Sequence, residues 1–450
     1  MTPMPHIKLL HTADLHIGME NYGRVDATTG INARVMDFLR RLSDMGDYAI
    51  EQGVDILIFA GDAYKTRDPN PTYQREFARR IKRIADAGVP VVLLVGNHDL
   101  PSVSKRASSI SIFDTLAVPN VHVGDREELR EITCRRGQRL LVATAPYPLR
   151  SALLSGENAQ GKSLAEMDSL LQTVMVENLR ALAQQARDRS EIPAVLVGHF
   201  SVNEASHGSE QNIMIGRDAA VPRSVLADPT WRYVALGHIH KHQSLNADAQ
   251  PPVIYSGSIE RIDFGEEREP KGFVVAELSE KPTTWRFVQG YRRSARPFVT
   301  IRADVRDEAD PTGALVSAIQ QHAATLSRAN RPGLSEKGQV AAYDENGSTG
   351  GLSESVVRVI VKLRQEQEPL LAEREVKRAL ESAYFVASLQ KEVERAERQR
   401  LGGLAVETLT PVELLARYLE VKRVSEERAA LLLRHGEALI RAVDDREEMA

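Results

Sequence analysis

The sequence predicts a layered α/β domain, followed by a small α+β unit and a C-terminal pair of helices. Three observations lead there. The first 290 residues alternate short, unbroken apolar runs with amphipathic stretches, the character changes after Gly290, and two capped helical segments close the chain.

Taken in order, Ile7–His11, Val54–Ala60, Val89–Val95, Val121–Val123, Leu140–Thr144, Ala194–Val197, Tyr233–Leu236, Val253–Tyr255 and Phe273–Glu277 read as strands. Their continuous apolar character is what strands buried on both faces require. Ala33–Gln52 and Pro71–Ala87 read as helices, with Phe77, Ile81 and Ile84 at helical spacing in the second. Ser163–Arg187 is helical by period and holds no internal Gly or Pro. Tyr291–Pro297 is a basic connector without periodicity. Phe298–Ile301 and Val356–Leu363 then read as strands around a helix at Pro311–Ser327, and Glu368–Ala383 as a further helix. Residues 330–355, rich in Gly, Ser, Asn and Glu, are expected to form a mobile loop. At the end, Thr410-Pro411-Val412-Glu413 has the form of a capping box with proline at the first helical position. That helix should run to about Val421, and a second from Ser425 through Val443. Leu415, Tyr418, Leu419, Leu431–Leu433, Leu439 and Ile440 are more apolar surface than two helices can bury on each other. Each large side chain contributes about 1.5–3 kcal/mol when buried, so a partner surface is expected, with the protein's own body as the alternative.

Composition bounds the rest. The chain has 450 residues, which suggests two or three domains, and its 42% hydrophobic and 27% charged content excludes wholesale disorder. One cysteine, Cys134, excludes an internal disulfide framework and a Cys-rich zinc site. A formal charge of −4 does not announce a nucleic-acid binder, although a basic groove can hide in a neutral total. No apolar run reaches the roughly 18 residues of a membrane span, and Met1–Pro5 does not open a secretory signal, so the cytoplasm is the expected compartment. Histidine is unevenly spread: ten of twelve lie at or before His242.

Several strands run directly into residues that bind metals. Ile7–His11 leads to Asp14-Leu15-His16, Val54–Ala60 to Gly61-Asp62, and Val89–Val95 to Gly96-Asn97-His98-Asp99. Ala194–Val197 leads to Gly198-His199, and Tyr233–Leu236 to Gly237-His238-Ile239-His240. Ligands of open α/β sheets bind at the carboxyl ends of strands, so five such loops should converge. Residues two apart on extended backbone share a side, which would pair Asp14 with His16 and His238 with His240. Two Asp, one Asn and four His form a hard-oxygen and imidazole set suited to Mn²⁺, Fe²⁺ or Zn²⁺. Seven ligands exceed the needs of one open site but fit two metals sharing a bridging carboxylate. His6, His11, His122, His207, His242, His322 and His435 are read as non-ligands.

This order of motifs resembles the calcineurin-like metallophosphoesterase superfamily. Within it the chain is similar to the SbcD family of nuclease subunits, on His11-Thr12-Ala13-Asp14-Leu15-His16-Ile17-Gly18, Ala60-Gly61-Asp62-Ala63-Tyr64, Gly96-Asn97-His98-Asp99, Tyr255-Ser256-Gly257-Ser258-Ile259 and the three-part layout. The resemblance implies a β-sandwich flanked by helices over residues 1–290, a DNA-binding capping domain at 291–400, and a helix pair at 408–445 that holds an SbcC-type ATPase. It assigns one metal to Asp14, His16, Asp62 and His240, and the other to Asp62, Asn97, His199 and His238. The two ions are expected to be Mn²⁺. His98 is the general acid and Asp99 its orienting partner. Lys65 stands where some relatives carry a histidine. The implied function is a dimetal-dependent DNA exonuclease and endonuclease in break repair and recombination, working as a homodimer within a heterotetramer. DNA phosphates would be held by Lys65, Arg67, Lys105 and Arg106, with Arg292, Arg293 and Arg296 at the connector. No phosphate-binding loop of the Gly-x-x-x-x-Gly-Lys-Ser/Thr kind is present, so ATP would be used by the partner. Two other readings share the ligand set: a free-standing phosphatase or small-molecule phosphodiesterase, and a scaffold that has lost activity.

Overall fold

The protein is described from a computed structural model. It covers residues 6–100, 107–148, 163–206, 208, 220–247, 249–329, 352–394, 410–422 and 424–447. Two six-stranded sheets dominate. The first has the order β12–β11–β1–β2–β3–β4, with β1 Ile7–Thr12, β2 Ile56–Phe59, β3 Val91–Leu94, β4 Val121–Gly124, β11 Phe273–Leu278 and β12 Thr284–Val288. The second has the order β5–β6–β7–β8–β10–β9, with β5 Glu128–Thr133, β6 Arg139–Ala145, β7 Ala194–His199, β8 Trp231–Gly237, β9 Gln243–Ser244 and β10 Val253–Tyr255.

Alternate residues of each strand serve two cores. Leu9, Ile58, Val92 and Leu94 of the first sheet meet Leu140, Val142, Val195, Val197 and Ala235 of the second in one apolar layer. Their neighbours Leu10, Leu57, Phe59 and Leu93 pack outward on α1 (Ala33–Glu51) and α2 (Pro71–Asp86) through Val35, Phe38, Phe77 and Ile81. On the far side Leu141, Ala143, Leu196 and Leu236 receive the helix Leu164–Arg187 through Leu171, Met175, Leu179 and Leu182. Burial on both faces is why these strands lack polar alternation. Side chains cap these helices: Asn32 and Asn70 accept the amides of Arg34 and Thr72, and Ser163 and Glu166 make a reciprocal box.

Besides the two-residue edge strand β9, three strands escaped the sequence reading. β5 and β12 are sheet edges, only partly buried and carrying Glu128, Arg130, Glu131 and Arg286, the charged edge that resists further pairing. The third, β15 (Phe385–Glu394), joins β13 (Phe298–Asp304) and β14 (Val356–Arg364) in a small sheet of order β13–β14–β15. The helix expected at Glu368–Ala383 is broken. Gln365–Leu370 is a 3₁₀ turn containing Pro369, Leu371 is extended, and a helix follows only over Glu373–Ala379. Of the loop expected at 330–355, only its end is described: Leu352–Glu354 makes a 3₁₀ turn with Leu352 buried, and 330–351 lie outside the described residues.

By contacts the chain divides into two compact units, residues 1–302 with 316–360 and 374–390, and residues 303–315 with 361–373 and 391–450. In the second unit the Gln367 amide bonds the carbonyls of Val305 and Glu308, and Thr410 and Glu413 form the reciprocal box that starts the helix Pro411–Val421. A second helix, Glu426–Glu447, packs on it, while Tyr418, Leu431, Leu432 and Leu439 remain exposed. Among the described residues no helix is long and apolar enough to cross a membrane.

The parallel strands β1–β2–β3 and β6–β7–β8 place their carboxyl ends at one pole. The opposite pole is clamped by Asp55, which is fully buried. Its carboxylate accepts Nε and Nη2 of Arg136, both at 2.6 Å, and the amide of Lys8 at 2.7 Å. Burial pushes this carboxyl upward, but those donors outweigh it and hold it below its ordinary value. Its stabilisation is therefore complete above the unfolded carboxylate pKa of about 3.9 and is lost as pH falls through the lower folded value. Asp55→Asn should lower unfolding free energy by about 1–2 kcal/mol at pH 7, the half-exposed Arg136 keeping the figure small. Urea titrations should show the gap closing below pH 4; a gap of equal size at pH 3 would contradict this account.

Candidate metal centre

Five loops deliver the expected ligands to one pole, but not by the route that spacing suggested. Asp14 and His16 are not on extended backbone: their φ values are +53° and +46°, with Asp62 at +58° and His238 at +99°. Side chains with a Cβ rarely adopt this left-handed region, which costs of order 1–3 kcal/mol per residue. Loop-to-loop hydrogen bonds hold it. The amides of Asp14, Leu15 and Ile17 donate to the carbonyls of Gly61, Asp62 and Ala63 at 2.9–3.0 Å, and the His238 amide donates to Asp14 Oδ1 at 2.9 Å. The glycines also have a sharper role than easing turns. A Cβ on Gly61 would overlap His199 Nδ1, and one on Gly96 would overlap Asp62 Oδ1.

The candidate ligand atoms form three overlapping sets. Those of Asp14, His16 and His240 lie within 4.8 Å of one another, as do those of Asp14, Asp62 and His199 and those of His16, Asp62 and His98. His16 Nε2 is 2.9 Å from His240 Nε2 and 3.6 Å from Asp62 Oδ2. On the other side His199 Nε2 is 3.0 Å from Asn97 Oδ1 and 3.4 Å from Asp62 Oδ2, and His238 Nδ1 is 3.0 Å from the same Asn97 oxygen. Asp14, His16, Asp62, His199 and His238 are buried, and Asn97, His98 and His240 half-buried. Tyr147 stacks against His238 at 5.6 Å and walls that side.

The chemistry of this donor set fits divalent cations. His199 Nδ1 donates to the Ala60 carbonyl at 2.7 Å, so its Nε2 is the nitrogen turned to the two oxygens. Burial opposes charge on this ring, yet the Asp62 carboxylate overrides it and pushes the pKa up to about 9. Burial also drives Asp14 upward, while on Asp62 it is outweighed by His199 and His16, which hold that carboxyl well below the usual range. The proton that Asp62 holds on His199 is one a divalent cation would displace, and buried carboxylate oxygens and ring nitrogens would then share that cation.

His98 stands at the edge, its ring 4.8 Å from that of His16, and its amide donates to Asp62 Oδ1 at 2.8 Å. The expected orienting partner is corrected here. Asp99 accepts the amides of Ala63, Tyr64 and Gly96 at 3.1–3.2 Å, stitching two ligand loops together, and burial followed by nearby Asp62 raises it to about 7. The ring of His98 is instead oriented by a backbone group, its Nδ1 donating to the Lys65 carbonyl at 2.8 Å. A carbonyl leaves no trace in residue type, so the sequence offered no signal for it.

Sequence reasoning also missed Glu266 and Lys271. His240 Nδ1 donates to Glu266 Oε1 at 2.9 Å, and Lys271 Nζ lies 3.1 Å from Glu266 Oε2 with both side chains fully buried. Of the histidines read as non-ligands, His11 hydrogen-bonds Tyr233 in the sandwich interior and His242 stacks flat on Phe287 at 3.9 Å. His207, Lys105 and Arg106 lie outside the described residues. Lys65 is half-buried and Arg67 exposed beside the site. The connector arginines are committed elsewhere: Arg292 to Asp47 and Glu51, Arg293 to Asp44, and Arg296 to Asp37 at 2.6 Å while stacked on Tyr384. They pair with acids of α1, the side chains of Arg292 and Arg293 staying half-exposed.

The SbcD component of nuclease SbcCD from Rhodobacter capsulatus is 29% identical over 290 residues, 61% of this chain and 67% of that one. The Bacillus subtilis protein of the same name is 25% identical over 66% of this chain and 72% of its own. "DNA double-strand break repair protein Mre11" of Archaeoglobus fulgidus is 25% identical, covering 58% of this chain and 52% of that one. Residues 7–242, from the first strand of the sandwich to just past the last candidate ligand, match the family described as calcineurin-like phosphoesterase, and the chain belongs to that family.

Proposed function

We propose that the protein is a two-metal DNA phosphodiesterase, an exonuclease and endonuclease subunit acting with an SMC-like ATPase of the SbcC type. The observation that supports this reading is the overlap of three ligand sets through Asp14, His16 and Asp62, with His98 in one of them. Asp14, His16, Asp62 and His240 would hold one ion; Asp62, Asn97, His199 and His238 would hold the other, both Mn²⁺. A bound pair of divalent ions supplies positive charge to phosphate oxygens and a water nucleophilic at neutral pH.

The chain's own groups do the rest. Asp62 lies between His16 and His199 and orders the His98 loop through that residue's amide. Because His98 Nδ1 is committed to the Lys65 carbonyl, its Nε2 is the atom that can give a proton to a leaving oxygen. Lys65 and Arg67, with Lys105 and Arg106, are proposed as phosphate contacts. The proposed layout is a catalytic domain at 1–290, a capping domain at 291–400 and an ATPase-binding helix pair at 408–445, in a homodimer in the cytoplasm. The exposed Tyr418, Leu431, Leu432 and Leu439 support the last segment, since solvent contact wastes their apolar area.

Mn²⁺ should support degradation of linear duplex DNA. His98→Ala should keep its metal while losing about 10²–10⁴-fold in turnover, whereas Asp62→Ala should lose metal and activity together. Turnover of p-nitrophenyl phosphate esters without any DNA would instead mark a phosphatase. Gly96→Ala adds one methyl in the space of Asp62 Oδ1. It should reduce bound Mn²⁺, measured by elemental analysis of the purified protein, and wild-type metal content in that variant would refute the packing argument. Finally, truncation before Thr410 should preserve nuclease chemistry and abolish co-purification of the ATPase, and retained partner binding would remove the helix pair from that role.

A further inference from the structure

Glu266 lies 26 residues beyond His240, in a 3₁₀ turn that belongs to none of the five ligand loops. Its contacts differ in kind from those behind the other rings. His199 and His98 lean on the backbone carbonyls of Ala60 and Lys65, while His240 leans on a carboxylate. Glu266 Oε2 accepts the Ile262 amide at 2.7 Å and lies 3.1 Å from Lys271 Nζ. Lys271 gives its remaining donors to Glu269 Oε2 at 2.9 Å and to the backbone carbonyl of His240 at 3.1 Å. One buried ion pair therefore grips His240 by ring and by backbone.

Such a pair is a poor way to gain stability, because desolvating both charges offsets their attraction. As a means of fixing a ligand it is effective. A carboxylate behind an imidazole fixes the tautomer that turns Nε2 toward a metal and makes that nitrogen more basic. The turn is also rigidly seated. Arg261 Nε donates to the Glu266 carbonyl at 3.2 Å, and its Nη1 reaches the carbonyls of Ala295 and Arg296 at 3.3 and 3.1 Å. Phe264 of the same turn packs edge-on to Phe298 at 5.0 Å and to Tyr22 at 5.5 Å, with the Arg358 guanidinium 4.3 Å over its ring.

Resting on the two-metal reading, we propose that Glu266, held by Lys271, is a positioning residue that sets the affinity of one metal position alone, the one facing Asp14, His16 and His240. The ion between Asn97, His199 and His238 is outside its influence. The two positions therefore fill with different affinities, and Glu266 governs that difference.

Mn²⁺ titration of the full chain, followed by calorimetry and electron paramagnetic resonance, tests this. Glu266→Gln preserves volume and leaves Lys271 paired with Glu269 and the His240 carbonyl. One of two affinities should fall about 10–100-fold while the other is unchanged. At a metal level that fills the unaffected position, the spin-coupled signal of a Mn²⁺ pair should give way to that of a single ion. The double variant Glu266→Gln/Lys271→Met removes both charges together, folds if the single variant does not, and should show the same selective loss. Equal weakening of both positions, or of neither, in a folded variant overturns the inference and leaves the two-metal reading intact. Wild-type protein that binds no Mn²⁺, or Asp62→Ala that binds it as wild type does, overturns the reading itself.

Discussion

Asp62 is the point on which the rest of the site depends, through backbone and side chain alike. Its carbonyl accepts the amides of Leu15 and His16, fixing the Asp14–His16 loop against the end of β2. Its Oδ1 accepts the His98 amide, and its Oδ2 lies between His16 and His199, one from each sheet of the sandwich. It occupies the volume that a Cβ on Gly96 would need, and is itself held at φ +58°. A residue under such strain persists only where its surroundings over-determine it. Here three backbone amides, of Leu15, His16 and His98, and the rings of His16 and His199 do so. The price in stability is met by the doubly buried strands on either side, which fix where each loop starts.

The strands that carry the ligands were legible in the sequence because burial on both faces leaves a continuous apolar run, and because each run ends in a residue with distinctive chemistry. Asp14, His16, Asp62, Asn97, His199, His238 and His240 were found that way, and the structure brings their ligand atoms to one place. Their convergence has a different physical origin from the one that spacing implies. Extended backbone would have aligned Asp14 with His16; left-handed backbone at both, braced by the Gly61–Ala63 carbonyls, is what aligns them. Pattern reveals which residue types stand at a strand end, not which carbonyls lie opposite. For the same reason β5, β12 and β15 escaped notice, being edge strands or small-sheet strands whose mixed composition lacks the apolar run.

What orients the first rank of residues was largely illegible. Asp99 looked like a partner for His98 because the two are adjacent in sequence, yet adjacency sends their side chains apart, and Asp99 serves three backbone amides. The group that orients His98 is a carbonyl, which every residue possesses. Glu266 and Lys271 are ordinary charged residues in a polar stretch, and only the fold shows that they are buried and joined to His240. Supporting contacts are set by tertiary approach, which leaves no periodic mark on the chain.

The same distinction decides what the chain's charge means. A basic connector beside an otherwise acidic protein invites a phosphate-binding reading, and Arg292, Arg293 and Arg296 are its most basic stretch. Their guanidinium groups meet Asp37, Asp44, Asp47 and Glu51, acids that α1 presents at helical spacing along one face. Those arginines fasten the connector to the sandwich, and Arg296 continues the seam onto Tyr384 beside the small sheet. Attraction for a phosphodiester would then depend on charge near the candidate ligand loops, where the proposed divalent cations would outweigh any single lysine. A formal total of −4 does not decide this, because it sums charges wherever they lie in the chain. Charge location, and not charge balance, governs whether such a surface can hold a phosphodiester.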